Sequence, residues 1–227
     1  MRAAAGLSFV IMAATSISVP VQAQNRDDSL RIYAVNVVKT TPFQEPFTGY
    51  GIYLGQGAVI TAAHVIGRWG FLKDPHVLIA GQDLPAKIIK EGSLAQTDLT
   101  LLSVDETRLP VSLRMRRNPV CKQSPNPGAN VVVVVPELTV RSQIISPLLI
   151  QPVFRKRFST LISEPAGSGS GVFDDNKRCL LGIISRAIQK YNYRREDGRI
   201  IAEPAGKAGY FVSASEISEF IPPEFRY

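Results

Sequence analysis

Three segments of this 227-residue chain carry side chains that together could perform acyl transfer: GYGIYLGQGAVITAAHVI, which contains His64, QTDLTLL, which contains Asp98, and EPAGSGSGVF, which contains Ser168. A serine hydroxyl is a poor nucleophile until a neutral imidazole takes its proton, and that imidazole needs a carboxylate to fix its tautomer and stabilise its cation. The small residues Ala62 and Ala63 leave space for another chain segment to approach the His64 ring. Asp98 stands at the mouth of an apolar run, where a partly buried carboxylate requires a hydrogen-bonding partner. Around Ser168 the glycines let the backbone turn sharply, leave N–H groups unpaired and lift a hydroxyl into the open. Spacing along the chain does not bring the three groups together; the fold must do that.

The other chemistry-bearing residues are few. His76, in DPHVLIA, reads as a packed core residue. With two histidines and two cysteines in the whole chain, and none of them at metal-ligand spacing, no metal site is expected. No cofactor is required either. The compartment is indicated by residues Met1–Ala23, which hold one basic residue, Arg2, then the apolar stretch AAAGLSFVIMAA, and end on Val21-Gln22-Ala23. This reads as a removed signal peptide, so the mature chain is expected in a periplasm or outside the cell. The alternative, an uncleaved anchor, is opposed by Thr15, Ser16, Ser18 and Pro20, which interrupt the run before the ~20 residues that span a bilayer. No later segment is long enough to span. In an oxidising compartment Cys121 and Cys179 are expected to pair, the alternative being two buried thiols.

Lys plus Arg number 26 against 19 for Asp plus Glu, a net charge of +7 that is too modest to name a partner. The basic clusters Arg114-Met-Arg-Arg117, Arg155-Lys-Arg157 and Arg194-Arg195 read as solvated strand edges, where cations also deter edge pairing. A nucleic acid is therefore not expected as a partner.

The elements that must position the three segments are strands. Short β-branched runs bounded by Gly, Pro, Asn and Asp recur throughout: LRIYAVNVV, GYGIYL, GAVIT, HVLIA, AKIIK, LTLLSV, then ANVVVVV, SQIIS, TLIS, GVF, CLLGIIS and GYFVS. Nothing between them keeps a helical period. The pattern predicts an all-β architecture, and the length favours two small barrels over one. The seam is expected at residues 114–130, where charges and prolines interrupt the strands, dividing the mature chain into 24–118 and 119–227. Ser213-Ala-Ser-Glu216, followed by ISEFI and Pro222-Pro223, carries a capping-box signature and predicts a short terminal helix.

The three segments resemble the motifs of the trypsin-like (chymotrypsin-fold) serine peptidases, especially the compact bacterial glutamyl-endopeptidase and HtrA-like branches, and the resemblance spans most of the mature chain. TAAHV at 61–65 is similar to the family's histidine motif, DLTLLSV at 98–104 to its aspartate motif and SGSGVF at 168–173 to its nucleophile motif. Gly182-Ile-Ile-Ser185 resembles the strand that holds an extended substrate backbone, and Gly206-Lys-Ala-Gly209-Tyr-Phe211 the far wall of the primary pocket. The resemblance implies two perpendicular six-stranded antiparallel β-barrels with the active site in the cleft between them. It also implies His64 as general base and acid, Asp98 as its orienter, Ser168 as nucleophile, and the N–H groups of Ser168 and Ala166 as the oxyanion hole.

The nucleophile loop departs from the family pattern. Ala166 stands where a Gly is usual, Gly167 where an Asp or Asn is usual, and Gly171 where a Pro is usual. Two registers follow, one with Ser168 and one with Ser170 as nucleophile; the position of Val172-Phe173 selects Ser168. The same alignment puts Ile162 at the base of the primary pocket, with Ala187 and Gly209 near its walls and Ser185 on the substrate strand. No acid stands there, which predicts a small or apolar substrate side chain and not Lys or Arg. The expected activity is that of an exported serine endopeptidase acting on a protein or peptide through an acyl-enzyme. The alternative is a peptidase-like scaffold that binds another protein without hydrolysing it, favoured if Ala166 spoils the oxyanion hole.

Overall fold

The computed structural model describes residues 27–41, 44–67 and 75–225, so the signal peptide assigned to residues 1–23 lies outside the described residues. Among the described residues twelve strands form two closed antiparallel barrels of six. The first contains β1 (Ala34–Thr41), β2 (Gln44–Gly55), β3 (Ala58–Thr61), β4 (His76–Ile79), β5 (Gln82–Glu91) and β6 (Thr100–Val104), in the spatial order β1-β2-β3-β6-β5-β4. The second contains β7 (Asn130–Val134), β8 (Thr139–Ile145), β9 (Leu161–Ile162), β10 (Gly171–Asp174), β11 (Leu180–Glu196) and β12 (Arg199–Ser213), in the order β10-β11-β12-β9-β8-β7. The seven-residue helix Ala214–Phe220 follows, capped as expected: the Ser213 hydroxyl accepts from the Glu216 N–H while Glu216 accepts from the Ser213 N–H.

β3 is buried along its whole length and β7 on all but its first residue, because both faces of each are covered. Side chains alternate across a strand. In β2, Tyr53 points into the first barrel with Val59 and Leu102, while Ile52 and Leu54 turn outward to a second cluster. That cluster also takes Val132, Val134, Phe173 and Leu180 from the second barrel. Val131 and Val133 fill the second barrel's interior with Ile184 and Phe211. The run VVVVV is thus a strand buried on two sides, and a continuous apolar layer joins the barrels.

The joint is reinforced at three places. Asn118 donates its N–H to Leu54 O of the first barrel at 2.9 Å, and the adjacent Pro119 O accepts from Leu180 of the second at 2.9 Å. Asp27, buried before β1, accepts from Arg141 at 3.0 Å and Arg178 at 3.0 Å, both on the second barrel. Cys121 and Cys179 form a disulfide across a separation of 58 residues, tying the inter-barrel segment to the start of β11. No helix among the described residues is long and apolar enough to cross a membrane. Replacing both cysteines by serine removes the constraint on the unfolded chain and is expected to cost about 4 kcal/mol, measured by denaturant unfolding.

Candidate active site

Strand register explains why His64 and Asp98 meet. β3 pairs with β6 so that Thr61 lies opposite Thr100, and one residue separates Thr61 from the short helix Ala63–Ile66 that carries His64. Asp98, two residues before Thr100, falls beside it. His64 Nδ1 lies 2.8 Å from Asp98 Oδ2, and the His64 backbone N–H donates to Oδ1 at 3.0 Å. The carboxylate side chain is 3% exposed and the imidazole 28%, so the ring bridges a buried acid and open space.

A third donor comes from the other barrel. The Ser185 hydroxyl on β11 donates to Asp98 Oδ2 at 2.5 Å. Burial pushes the Asp98 carboxyl up, but the hydrogen bonds from His64 and Ser185 and the charge of His64 outweigh it and hold the group below the usual carboxylate range. Asp98 thus stays ionised despite its burial. Ser185, expected on the substrate strand, also directs its buried hydroxyl to the acid.

Ser168 sits on the turn before β10 and is partly exposed. Its hydroxyl donates to Ser185 O at 3.2 Å, so in this conformation it rests on β11 and not on the imidazole. Ser170 is fully buried, and its hydroxyl donates back to Gly167 O at 2.6 Å. The Ser170 N–H donates to the same oxygen at 3.2 Å. Because N–H and C=O of one peptide point in opposite directions, this turns the Ser168 N–H away from Ser170. Among the described residues no backbone acceptor takes the N–H of Ala166 or Ser168.

The first barrel clamps this loop through Tyr50, a residue that no motif singled out. The Tyr50 N–H donates to Ser168 O at 3.0 Å, and Tyr50 O accepts from the buried Thr61 hydroxyl at 2.6 Å. A Cβ on Gly169, which has φ +88°, would fall 1.8 Å from Tyr50 O. One on Gly167 would fall 2.5 Å from the Tyr50 ring, so the departure from Asp or Asn at this position has a steric reason.

Ile162, expected at the base of the primary pocket, is buried in β9 and pairs with Gly209 of β12. A Cβ on Gly209 would lie 2.7 Å from Pro165 and 3.0 Å from Ile162, so this wall is tightly packed. Ala187 is exposed on β11 beyond Ser185. On the far side of Asp98 a cavity of about 400 Å³ is lined by Arg157, Phe158, Arg186, Tyr210 and Glu216. Burial, followed by the negative charge of Glu216, pushes the Tyr210 phenol up to about 12. A second cavity of about 330 Å³ lies beside His64, against Glu91, Gly92 and Ser93.

No protein-family model matches the sequence, and no curated protein does. Solved structures do match. The active form of the Rv3671c protease from M. tuberculosis has a TM-score of 0.57 at 16% identity, covering 96% of this chain and 92% of that one. The serine endoprotease from Yersinia pestis has a TM-score of 0.55 at 20% identity, covering 89% and 66%. The MamO protease domain from Magnetospirillum magneticum has a TM-score of 0.52 at 18% identity, covering 85% and 97%. These likenesses, with the two closed barrels, establish that the chain has the fold of the trypsin-like, chymotrypsin-fold serine peptidases.

Proposed function

We propose that the chain is an exported serine endopeptidase that cleaves peptide bonds through His64, Asp98 and Ser168. The observation that carries this reading is the buried Asp98 carboxylate, held by His64 from one barrel and by Ser185 from the other, with Ser168 on the same Ser185 backbone. Binding of substrate moves the Ser168 hydroxyl from Ser185 O to His64 Nε2. The hydroxyl oxygen attacks the scissile carbonyl as Nε2 takes its proton. The resulting oxyanion is met by the N–H groups of Ala166 and Ser168, a contribution worth ~100 to 1000-fold per donor in such sites. His64 then protonates the departing amine, leaving an ester on Ser168, and a water activated by the same imidazole hydrolyses it. Ile162, Ala187 and Gly209 carry no acid, and the close packing of Gly209 against Pro165 and Ile162 favours a small or apolar side chain before the scissile bond. Export is supported by the disulfide and by the sequence of residues 1–23.

A second reading rests on one specific observation. Ser168 hydrogen-bonds Ser185 O in this conformation, which suits a peptidase-like scaffold that binds a protein without cleaving it.

A fluorophosphonate probe with peptide mapping separates the two. Labelling of Ser168 in the wild type, lost in His64→Ala, is the expected result; absence of labelling favours the scaffold, and labelling of Ser170 transfers the nucleophile's role. Ser168→Ala is expected to lower kcat by ~10⁴-fold or more. Peptides with Ala before the scissile bond are expected to be cleaved with a higher kcat/KM than matched Arg peptides, and a strong Arg preference would overturn the pocket assignment. The depressed Asp98 carboxyl contributes stability above its ordinary value of about 3.9 and loses it as pH falls through the folded value. Asp98→Asn should therefore be less stable than the wild type at neutral pH, and the gap in thermal denaturation should close in acid.

A further inference from the structure

β11 and β12 continue past the second barrel as a two-stranded ribbon. β11 leaves β10 at Ile183 and β12 leaves β9 at Gly209, yet their own pairing runs on to Glu196↔Arg199. A two-residue turn closes it, with Asp197 and Gly198 both at positive φ. The register assigns each side chain to a face, because residues paired across two strands point the same way and successive residues alternate. Tyr191↔Pro204, Tyr193↔Ala202 and Arg195↔Ile200 share one face; Asn192↔Glu203, Arg194↔Ile201 and Glu196↔Arg199 share the other. The second face neutralises its own charge, since Arg194 reaches Glu203 at 2.9 Å and Glu196 at 3.4 Å. The first is apolar apart from one cation, Arg195.

The loop between β8 and β9 extends this apolar face. Ile150 and Phe158 anchor it in a buried cluster with Ile188 of β11, and Gln151 donates to the Tyr191 hydroxyl at 3.2 Å. From that anchor Leu148, Leu149, Val153 and Phe154 are all exposed, Leu148 by 63% and Val153 by 76%, and Ile200 on the ribbon is 71% exposed. Side chains as exposed as these stand out from the surface and line no groove. The loop backbone suits withdrawal from water. The N–H groups of Leu148, Leu149, Ile150, Phe154 and Arg155 donate to oxygens within residues 146–152, and Pro147 and Pro152 have none to donate. The Arg155 guanidinium folds back on the carbonyls of Ile150 at 3.1 Å and Leu148 at 3.0 Å. Apolar side chains on a backbone satisfied in this way leave water at little polar cost.

Cations border the patch. Arg155, Lys156 and Arg157 follow the loop, Arg195 lies on the apolar face of the ribbon, and among the described residues no carboxylate pairs with any of the four. Glu196 and Glu203 point to the other face, and Asp197 lies in the turn beyond Arg195. Tyrosines and aliphatic side chains bordered by Lys and Arg are the composition of an element that lies in the headgroup layer of an anionic bilayer. The cores of protein–protein interfaces are depleted in lysine and seat their anchors in pockets, which fits this protruding surface less well.

We infer that the loop 147–154 and the ribbon face of Tyr191, Tyr193 and Ile200 dock the protein on an anionic lipid surface. The aliphatic side chains enter the acyl boundary and the four cations meet the phosphate headgroups. The inference does not depend on the peptidase reading of Ser168. Phe154 lies 6.0 Å from Phe158, ring to ring, and Phe158 lines the cavity beside Asp98, so docking by this face brings that cavity near the headgroups.

The test is flotation of the full-length protein with vesicles of phosphatidylcholine alone and of phosphatidylcholine with phosphatidylglycerol. Partition is expected to be at least ~10-fold stronger on the anionic vesicles and to weaken with salt. Lys156→Gln with Arg195→Gln, which removes two exposed cations, should lower it by ~10-fold or more. Leu148→Ser with Val153→Ser, at two positions with little burial to lose, should lower it by about 10-fold. Both cysteines of the chain are in the disulfide, so Val153→Cys accepts a single nitrobenzoxadiazole dye. Its emission should shift to the blue on anionic vesicles, which separates the loop from any contribution of residues 1–23. Equal partition to neutral and anionic vesicles, or a dye that stays in water while the protein floats, would overturn the inference. So would an absence of vesicle binding together with self-association that Leu148→Ser with Val153→Ser abolishes, which would give the face to a second copy of the chain.

Discussion

A single buried carboxylate organises this molecule. Asp98 is withdrawn from water and remains ionised because three donors surround it: the His64 ring, the His64 backbone and the Ser185 hydroxyl. Two of those donors belong to the first barrel and the third to the second. A buried charge without partners would cost several kcal/mol, so the acid makes the relative placement of the barrels a condition of its own stability. The apolar layer between the barrels, the Asp27 pairs with Arg141 and Arg178, and the Tyr50 clamp on Ser168 hold the same arrangement from other sides. The site is a property of the joint, with neither barrel holding all of its parts.

Much of the fold could be read from residue patterns. The β-branched runs between turn residues correspond to strands, because those residues suit a pleated surface covered on one or both faces. The terminal helix was visible in its capping box, a local signal with a local cause. The contact of His64 with Asp98 could not be read in this way. It depends on the Thr61–Thr100 register, which is set by how β3 and β6 pack and not by either segment alone.

The parts that sequence reasoning missed fail for the same reason. Tyr50 and Thr61 act through backbone and hydroxyl groups on strands, so nothing in their identity marks them. Ser185 was placed on the substrate strand, but the role of its side chain depends on a bulge that only strand pairing reveals. Much of the outer ribbon is exposed. Its residues from Gln189 to Lys207 are mostly polar or charged and are interrupted by Pro204 and Gly206, and so resemble a loop. Arg194 and Arg195 were read as solvated edge cations, and they lie on that ribbon. Ser185 also touches both parts of the proposed site, its hydroxyl donating to Asp98 and its carbonyl accepting from Ser168.

The central claim is that one carboxylate aligns an imidazole for a serine held by the opposite barrel. The most direct measurement is a crystal structure of the protein soaked with a peptide boronate ending in a boro-alanine. The account predicts boron bonded to Ser168 Oγ, one boronate oxygen against the N–H groups of Ala166 and Ser168, and another hydrogen-bonded to His64 Nε2 while Nδ1 keeps Asp98. A boronate bonded elsewhere, or a Ser168 adduct with His64 turned away from both it and Asp98, would contradict it.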